Sequence, residues 1–297
     1  MKAPFPYFGG KKAVTEDVWH RLGAPAQYIE PFCGSAAMLL AKHKPAALEV
    51  VGDANGFIAN FWRSVKHQPD KVAEWSDYPV SHIDLGARHV WLMQQREALN
   101  EALQDCDWPG DAKVAGWWLW GQCCWIGAGW CDWSATPEWA SRPLGQVPHV
   151  SDAGRGEPRL LTSQGRAAWV WMHELAERLG RVRVIHGSWD RCLNHHFGGD
   201  DTAIFFDPPY KAYEKLYGVA TPVAADVEAW CREHAHLRIA LCGHAGDYDL
   251  PDWDAVPWSR GRLTYGGGKT TDHECIWYSP ACAPKRQVDL FAEITHA

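Results

Sequence analysis

Two stretches of this chain alternate short apolar strands with amphipathic helices. That alternation restricts the fold more than any other feature, because it is the pattern of a mainly parallel sheet covered on both faces. In the first stretch, Gln27 to Phe32 reads as a strand, Ser35 to Lys42 as a helix and Ala47 to Val51 as a second strand closed by Gly52-Asp53. Asn55 then caps a helix through Phe57, Ile58, Phe61, Trp62 and Val65. The alternation stops at His67 and resumes near Ala167 with a helix to Leu179, a strand Arg183 to Ile185, a turn at His186-Gly187-Ser188 and an apolar strand Thr202 to Phe206. A helix Val223 to His234, a strand Leu237 to Cys242 and late strands at Ala255-Val256 and Glu274 to Tyr278 complete the series. We therefore expect an α/β chain with one split domain, 1–66 and 167–297, interrupted by an inserted region at 67–166.

The insertion is unusual in composition. Eight of the chain's 19 tryptophans fall between Trp108 and Trp139, and most are expected to form the insertion's own core. A helix is expected around Val90 to Leu103, followed by a Trp/Cys/Gly-rich segment and a Pro/Gly/Arg-rich one. The net charge of −7 argues against nucleic-acid binding by bulk charge, so any such binding must be local. No apolar run approaches the roughly 18–20 residues that span a bilayer, and the opening Met1-Lys2-Ala3-Pro4 lacks a signal peptide's apolar stretch. A cytoplasmic protein with no membrane partner is expected, and its ten cysteines are expected to be reduced thiols. Cys123, Cys124 and Cys131, with Cys106 and His149, lack the paired spacing of structural zinc sites, so no metal is expected. Cys33 reads as packing, and no histidine, including His195, His196 and His273, is assigned a role.

In an open α/β sheet, ligands bind beyond the carboxyl ends of the strands. Three strand ends carry suitable residues. Gly34 and Ser35 turn the chain into a helix whose first amides suit an anionic group. Asp53 follows about twenty residues later, where an acid accepts hydrogen bonds from ribose hydroxyls in nucleotide-binding folds. An adenosine-containing cofactor fits; the turn is not G-x-G-x-x-G, so the close pyrophosphate approach needed for NAD or FAD is unsupported. The third end is Asp207-Pro208-Pro209-Tyr210. Its prolines end the ladder and present the Asp207 carboxylate and the Pro208 carbonyl as two acceptors, which suits an amino group. Tyr210 offers a ring on which a base can stack. The alternative is an ordinary strand-end turn with a surface tyrosine.

These motifs, in this order, resemble the Dam-type DNA adenine N6-methyltransferases, S-adenosylmethionine-dependent amino-methyltransferases with a D-P-P-Y block. Pro6-Tyr7-Phe8-Gly9-Gly10-Lys11 is similar to the family's first block, Tyr28-Ile29-Glu30-Pro31-Phe32-Cys33-Gly34-Ser35 to its E-P-F-x-G-x-G block, and Gly52-Asp53-Ala54-Asn55 to its ribose block. The resemblance implies a Rossmann-like methyltransferase fold with a mixed, mainly parallel sheet and an antiparallel late strand, Glu274 to Tyr278. It implies S-adenosyl-L-methionine as cofactor, held by Tyr7, Lys11, Glu30, Pro31, Phe32, Gly34, Ser35, Asp53 and Asp207. Ala37 stands where the cofactor block usually has its second glycine. Trp189 is placed against the cofactor adenine, with Ser188 or Asp190 as its polar partner; core packing is the alternative for Trp189.

The same resemblance makes the insertion a target-recognition region, within which Arg142, Arg155, Arg159 and Arg166 suit phosphates or base edges; a solvated loop is the alternative. The implied reaction is methyl transfer to the N6 amine of an extruded adenine in DNA, with Asp207, Pro208, Pro209 and Tyr210 catalytic. A cytosine N4-methyltransferase, an RNA or protein-glutamine methyltransferase, and a non-catalytic nucleic-acid-binding module remain open. No obligate protein partner is expected. Host-genome marking, restriction partnership and phage evasion of restriction all fit, with a lean to an orphan, phage-borne enzyme.

Overall fold

The computed structural model describes residues 1–7, 11–42, 44–125, 130–131, 168–193, 199, 201–210, 223–258 and 274–284. Seven strands, β1 (Gln27–Glu30), β2 (Leu48–Asp53), β3 (Val182–His186), β4 (Thr202–Phe206), β5 (Arg238–His244), β6 (Asp254–Trp258) and β7 (Glu274–Tyr278), form one sheet in the order β3-β2-β1-β4-β5-β7-β6. The first five are parallel to one another. β7 runs antiparallel between β5 and β6, so the late strand Glu274–Tyr278 has the direction expected of it. The chain is α/β with a mixed, mostly parallel sheet. The order reverses between β1 and β4, which makes their carboxyl ends the switch point where such sheets bind ligands.

The two-residue period of the strands separates two cores. Tyr28, Val51, Ala203, Phe205, Ala240 and Ile276 face one side; their neighbours Ile29, Val50, Ile204, Phe206, Ile239 and Leu241 face the other. The second side is covered by α8 (Val223–Glu233) through Ala224, Val227 and Cys231, and by the 3-10 turn Trp189–Leu193 through Cys192. The first side carries α1 (Thr15–Leu22), α2 (Ala37–Ala41), α3 (Gly56–His67), α4 (Pro69–Ser76), α5 (His82–Ala102), α6 (Ala112–Cys124) and α7 (Ala168–Leu179). Asn55 caps α3 by accepting from Phe57 N–H, as expected.

Helices α4 to α6, from the inserted region, share the core of α3 and α7. Phe5 packs edge-on against Trp118 at 4.9 Å and Phe61 at 5.3 Å, which joins α6 to α3 through the amino-terminal segment. Trp118, Trp120 and Trp130 are buried, and Trp108, Trp117 and Trp125 pack against the same cluster; Trp133 and Trp139 lie outside the described residues. α6 itself was not foreseen in the Trp/Cys/Gly-rich segment. It is buried nearly all round, so it carries no amphipathic stripe. Its Gly116 exists for close approach: a Cβ there would sit 2.7 Å from the Trp75 backbone. α5 begins eight residues before the expected Val90, at a turn capped by Ser81.

No helix among the described residues is long and apolar enough to cross a membrane. All ten cysteines are free thiols.

One buried ion pair ties α7 to the sheet. Arg178 donates to both carboxylate oxygens of Glu49 at 2.6 and 3.0 Å and to Leu39 O at 3.1 Å. Glu49 is only 3% exposed, so removing the guanidinium leaves an uncompensated buried charge. Arg178→Met is expected to cost about 3–5 kcal/mol in urea denaturation, and adding Glu49→Gln is expected to recover most of it.

Candidate active site

β4 is buried along its whole length, and the chain leaves it at Asp207, where two prolines prevent further pairing. Pro208 is buried and Asp207 half-buried. The Asp207 carboxylate meets an ammonium: Lys11 Nζ lies 2.8 Å from Oδ1 and 2.9 Å from Oδ2, and it also donates to the Tyr210 hydroxyl at 2.9 Å. Lys11 is 2% exposed. Burial opposes its charge, but the pull of Asp207, supported by Cys242 and Glu274, leaves its pKa above the ordinary value. Its Nζ also lies 5.3 Å from the Tyr210 ring centroid and 5.7 Å from that of Trp258. Two motifs nearly two hundred residues apart therefore close on one another at the end of β4.

The loop after β1 adjoins this group because β1 and β4 are neighbours. Gly34 has φ 45°, and a Cβ there would meet the Tyr7 ring at 2.6 Å, so only glycine admits both the turn and the Tyr7 contact. Trp62 Nε1 donates to Gly34 O at 2.9 Å, and the Asp53 carboxylate accepts from Gly34 N–H at 3.0 Å and from Asn55 N–H at 2.9 Å. Asp53 thereby fastens the β1 loop to the β2 loop, and the roughly four acceptor sites of a carboxylate leave capacity beyond its backbone partners Gly34, Asn55 and Ala54. Burial raises its pKa to about 6. Ser35 is buried and Phe32 half-buried.

The structure corrects the place of Ala37. The residue in the left-handed region is Ala36, at φ 51° and ψ 36°, whereas Ala37 simply begins α2. Counting E-P-F-x-G-x-G from Glu30 also reaches Ala36. The second glycine's place is thus Ala36, where alanine carries about 1–2 kcal/mol of backbone strain. α2 is also shorter than the expected Ser35 to Lys42, because this left-handed residue precedes it.

Glu30 lies beneath the loop. It is 3% exposed, and its Oε2 accepts from Leu39 N–H and Tyr28 O–H, each at 3.0 Å. Burial pushes its pKa up to about 8, against the lowering effect of those two bonds. Its described bonds make it a brace for α2, and Pro31 beside it is buried.

On the other face, Trp189 is half-buried and Ser188 and Asp190 are exposed. The Trp189 ring packs edge-on to Phe206 at 5.9 Å and to Trp230 at 6.4 Å, and Phe32 lies 6.4 Å from Phe206. These rings form an apolar wall running from the β1 end across β4. Trp230, on α8, was not singled out from the sequence. Nor was His244, whose ring lies 4.6 Å from that of Tyr210 at 75°; β5 continues two residues past the expected Cys242, and that extension delivers it. Tyr210 is itself buried, at 8% exposure.

Arg142, Arg155, Arg159, Arg166, Phe8, Gly9, Gly10, His149, His195, His196 and His273 lie outside the described residues. Cys123, Cys124 and Cys131 are buried. Among the described residues, exposed Asp105, Cys106 and Asp107 bring their ligand atoms within 4.8 Å of one another; Arg63 donates to Asp105 O and Cys106 O, and Asp107 N–H donates to Asp105 Oδ1. No protein-family model matches the chain, and no curated protein matches it.

Glu30 and Asp53 both have folded-state pKa values above their ordinary 4.5 and 3.8, so the folded chain holds their protons more tightly than the unfolded one. Their contribution to stability is complete below those ordinary values and is lost as pH rises through about 6 for Asp53 and about 8 for Glu30. Glu30→Gln keeps an acceptor for Leu39 N–H and Tyr28 O–H but cannot ionise. Relative to wild type, its unfolding free energy from urea denaturation is expected to rise between pH 5.5 and pH 8.5, by at most about 1.4 kcal/mol per pH unit. A difference that does not change with pH would show that Glu30 is not the buried titrating group.

Proposed function

We propose that the chain is an S-adenosyl-L-methionine-dependent DNA adenine N6-methyltransferase of the Dam type that its motifs resemble. The observation that carries this reading is the acceptor group at the end of β4: Asp207 and Tyr210 converge on an N–H donor, the Lys11 ammonium. A set of acceptors that holds an ammonium also suits an exocyclic amine. The seven-stranded mixed sheet is consistent with the Rossmann-like methyltransferase fold that the resemblance implies, and is not specific to it.

The neighbouring residues have the chemistry that S-adenosylmethionine requires. Half-buried Phe32 and Trp189 offer apolar ring surface for an adenine, and Asp53 retains acceptor capacity for ribose hydroxyls. Gly34, Ser35 and Tyr7 line the turn between them, and Pro31 sets the turn's direction at the end of β1. In this reading Glu30 acts from below by holding α2. When bound, the cofactor supplies an electrophilic methyl group.

The residues of the chain do the rest. A paired and stacked adenine cannot reach a strand-end pocket, so the base is extruded. Its amine takes the place of Lys11 on the Asp207 carboxylate, with the Pro208 carbonyl as second acceptor and Tyr210 as ring partner. The reaction is a direct displacement whose rate owes much to holding the amine in one orientation. Asp207 need not be a strong base, because the nitrogen becomes acidic once it has been methylated. The inserted region is the proposed DNA-recognition element, and its basic excess is confined to the stretch from Ser141 to Arg166, where Arg142, Arg155, Arg159 and Arg166 outnumber Asp152 and Glu157 on a chain of net charge −7. A cytoplasmic location follows from this reading.

The test is to incubate the protein with S-adenosylmethionine and unmethylated DNA of mixed sequence, digest to nucleosides and identify methylated bases by mass spectrometry. Asp207→Asn is the control of choice, since it keeps an oxygen acceptor for Lys11 that Asp207→Ala removes; both variants take the counter-charge from the buried ammonium at a cost of up to about 3–5 kcal/mol, so thermal melting checks that the variant folds. N6-methyladenine from wild type, with loss of at least 100-fold in Asp207→Asn and retained cofactor binding, is the expected result. N4-methylcytosine would keep the mechanism and change the target base. No product on DNA would redirect the search to RNA and protein acceptors, and no cofactor binding would leave a non-catalytic module.

A further inference from the structure

His244 closes β5 and touches Tyr210, the ring on which the proposed function places the target base. The contact is built, not incidental. The turn after β5 fixes the His244 backbone: its N–H donates to Asp247 Oδ2 at 2.7 Å, and Asp247 N–H returns to His244 O at 2.9 Å. Gly246 takes φ 90° to close the turn. Behind it, Gly243 leaves room for the Tyr248 ring, which a Cβ would meet at 2.6 Å, and the Tyr248 hydroxyl donates to Cys242 O at 3.2 Å. The imidazole is thus aimed from a fixed backbone, with its ring 4.6 Å from that of Tyr210 in an edge-to-face arrangement.

Two of the groups that hold Tyr210 are Lys11, at its hydroxyl, and His244, at its ring. These two anchors behave differently in the proposed reaction. A target amine that takes Asp207 displaces Lys11, and the hydroxyl loses that anchor just when the ring must meet the base. The His244 contact does not involve Lys11 and survives its departure. We propose that His244 is a positioning residue for the reaction, holding the Tyr210 ring in place while the target base replaces Lys11. The proposal rests on the methyltransferase reading.

The experiment compares wild type, His244→Ala and His244→Phe as full-length proteins, by initial rates of labelled methyl transfer to unmethylated plasmid DNA and by crystal structures. Thermal melting of each variant checks that it folds, and His244→Phe keeps a ring of similar span if the alanine variant does not. The expected result is a fall of about 10- to 100-fold in kcat/KM for DNA in His244→Ala, with KM for S-adenosylmethionine unchanged, the Tyr210 ring displaced in the crystal, and recovery of most of the rate in His244→Phe. An active wild type whose alanine variant matches it in rate, or keeps Tyr210 in place, overturns the role of His244 alone. A wild type that transfers no methyl group to DNA overturns the parent reading, and the role in base capture with it.

Discussion

The Lys11–Asp207 pair is the interaction on which the architecture of the strand-end group depends. A charge on a side chain 2% exposed is tolerated only where an opposite charge and further hydrogen-bond acceptors meet it, and the end of β4 supplies both. The pair also joins distant parts of the chain. Just before Lys11, the amino-terminal segment lays Phe5 into the core of α3 and α6 and Tyr7 onto Gly34, while Gln122 of α6 donates to Pro6 O. One strap therefore links an inserted helix, the β1 loop and the β4 loop.

The supporting layer follows a common logic. Carboxylates that receive backbone N–H groups hold the segments after β1, β2 and β5: Asp53 holds Gly34 and Asn55, Glu30 holds Leu39, and Asp247 holds His244. Such bonds satisfy amides that a sheet or helix cannot, and they fix loop geometry with little bulk. The arrangement separates two kinds of acid. Glu30 and Asp53 brace the loops, whereas Asp207 is half-buried and presents its carboxylate to the Lys11 ammonium.

Much of the sheet was legible because strand and helix periods differ so sharply. Thr202–Phe206 and Glu274–Tyr278 were bounded correctly by their apolar runs and by the turn residues around them. The Asn55 cap was readable because an asparagine before an apolar helical pattern has few other uses. α6 was hidden, since a helix buried on all sides has no stripe and its glycines resemble breakers until Trp75 and Trp130 are seen against them. The group at the end of β4 was half legible: Asp207 to Tyr210 and Lys11 stood out as separate motifs, but nothing in their spacing says that Lys11 reaches Asp207. His244 was illegible for the same reason, because strand adjacency between β4 and β5, not sequence distance, brings it to Tyr210.

The most direct measurement is a crystal structure of the protein bound to DNA and to the demethylated product of its cofactor. The account predicts an extruded adenine with its N6 within hydrogen-bond distance of Asp207, Lys11 Nζ withdrawn from that carboxylate, and the base against Tyr210. A complex in which Lys11 keeps its bonds to Asp207 and Tyr210 while the reacting group lies elsewhere would contradict it.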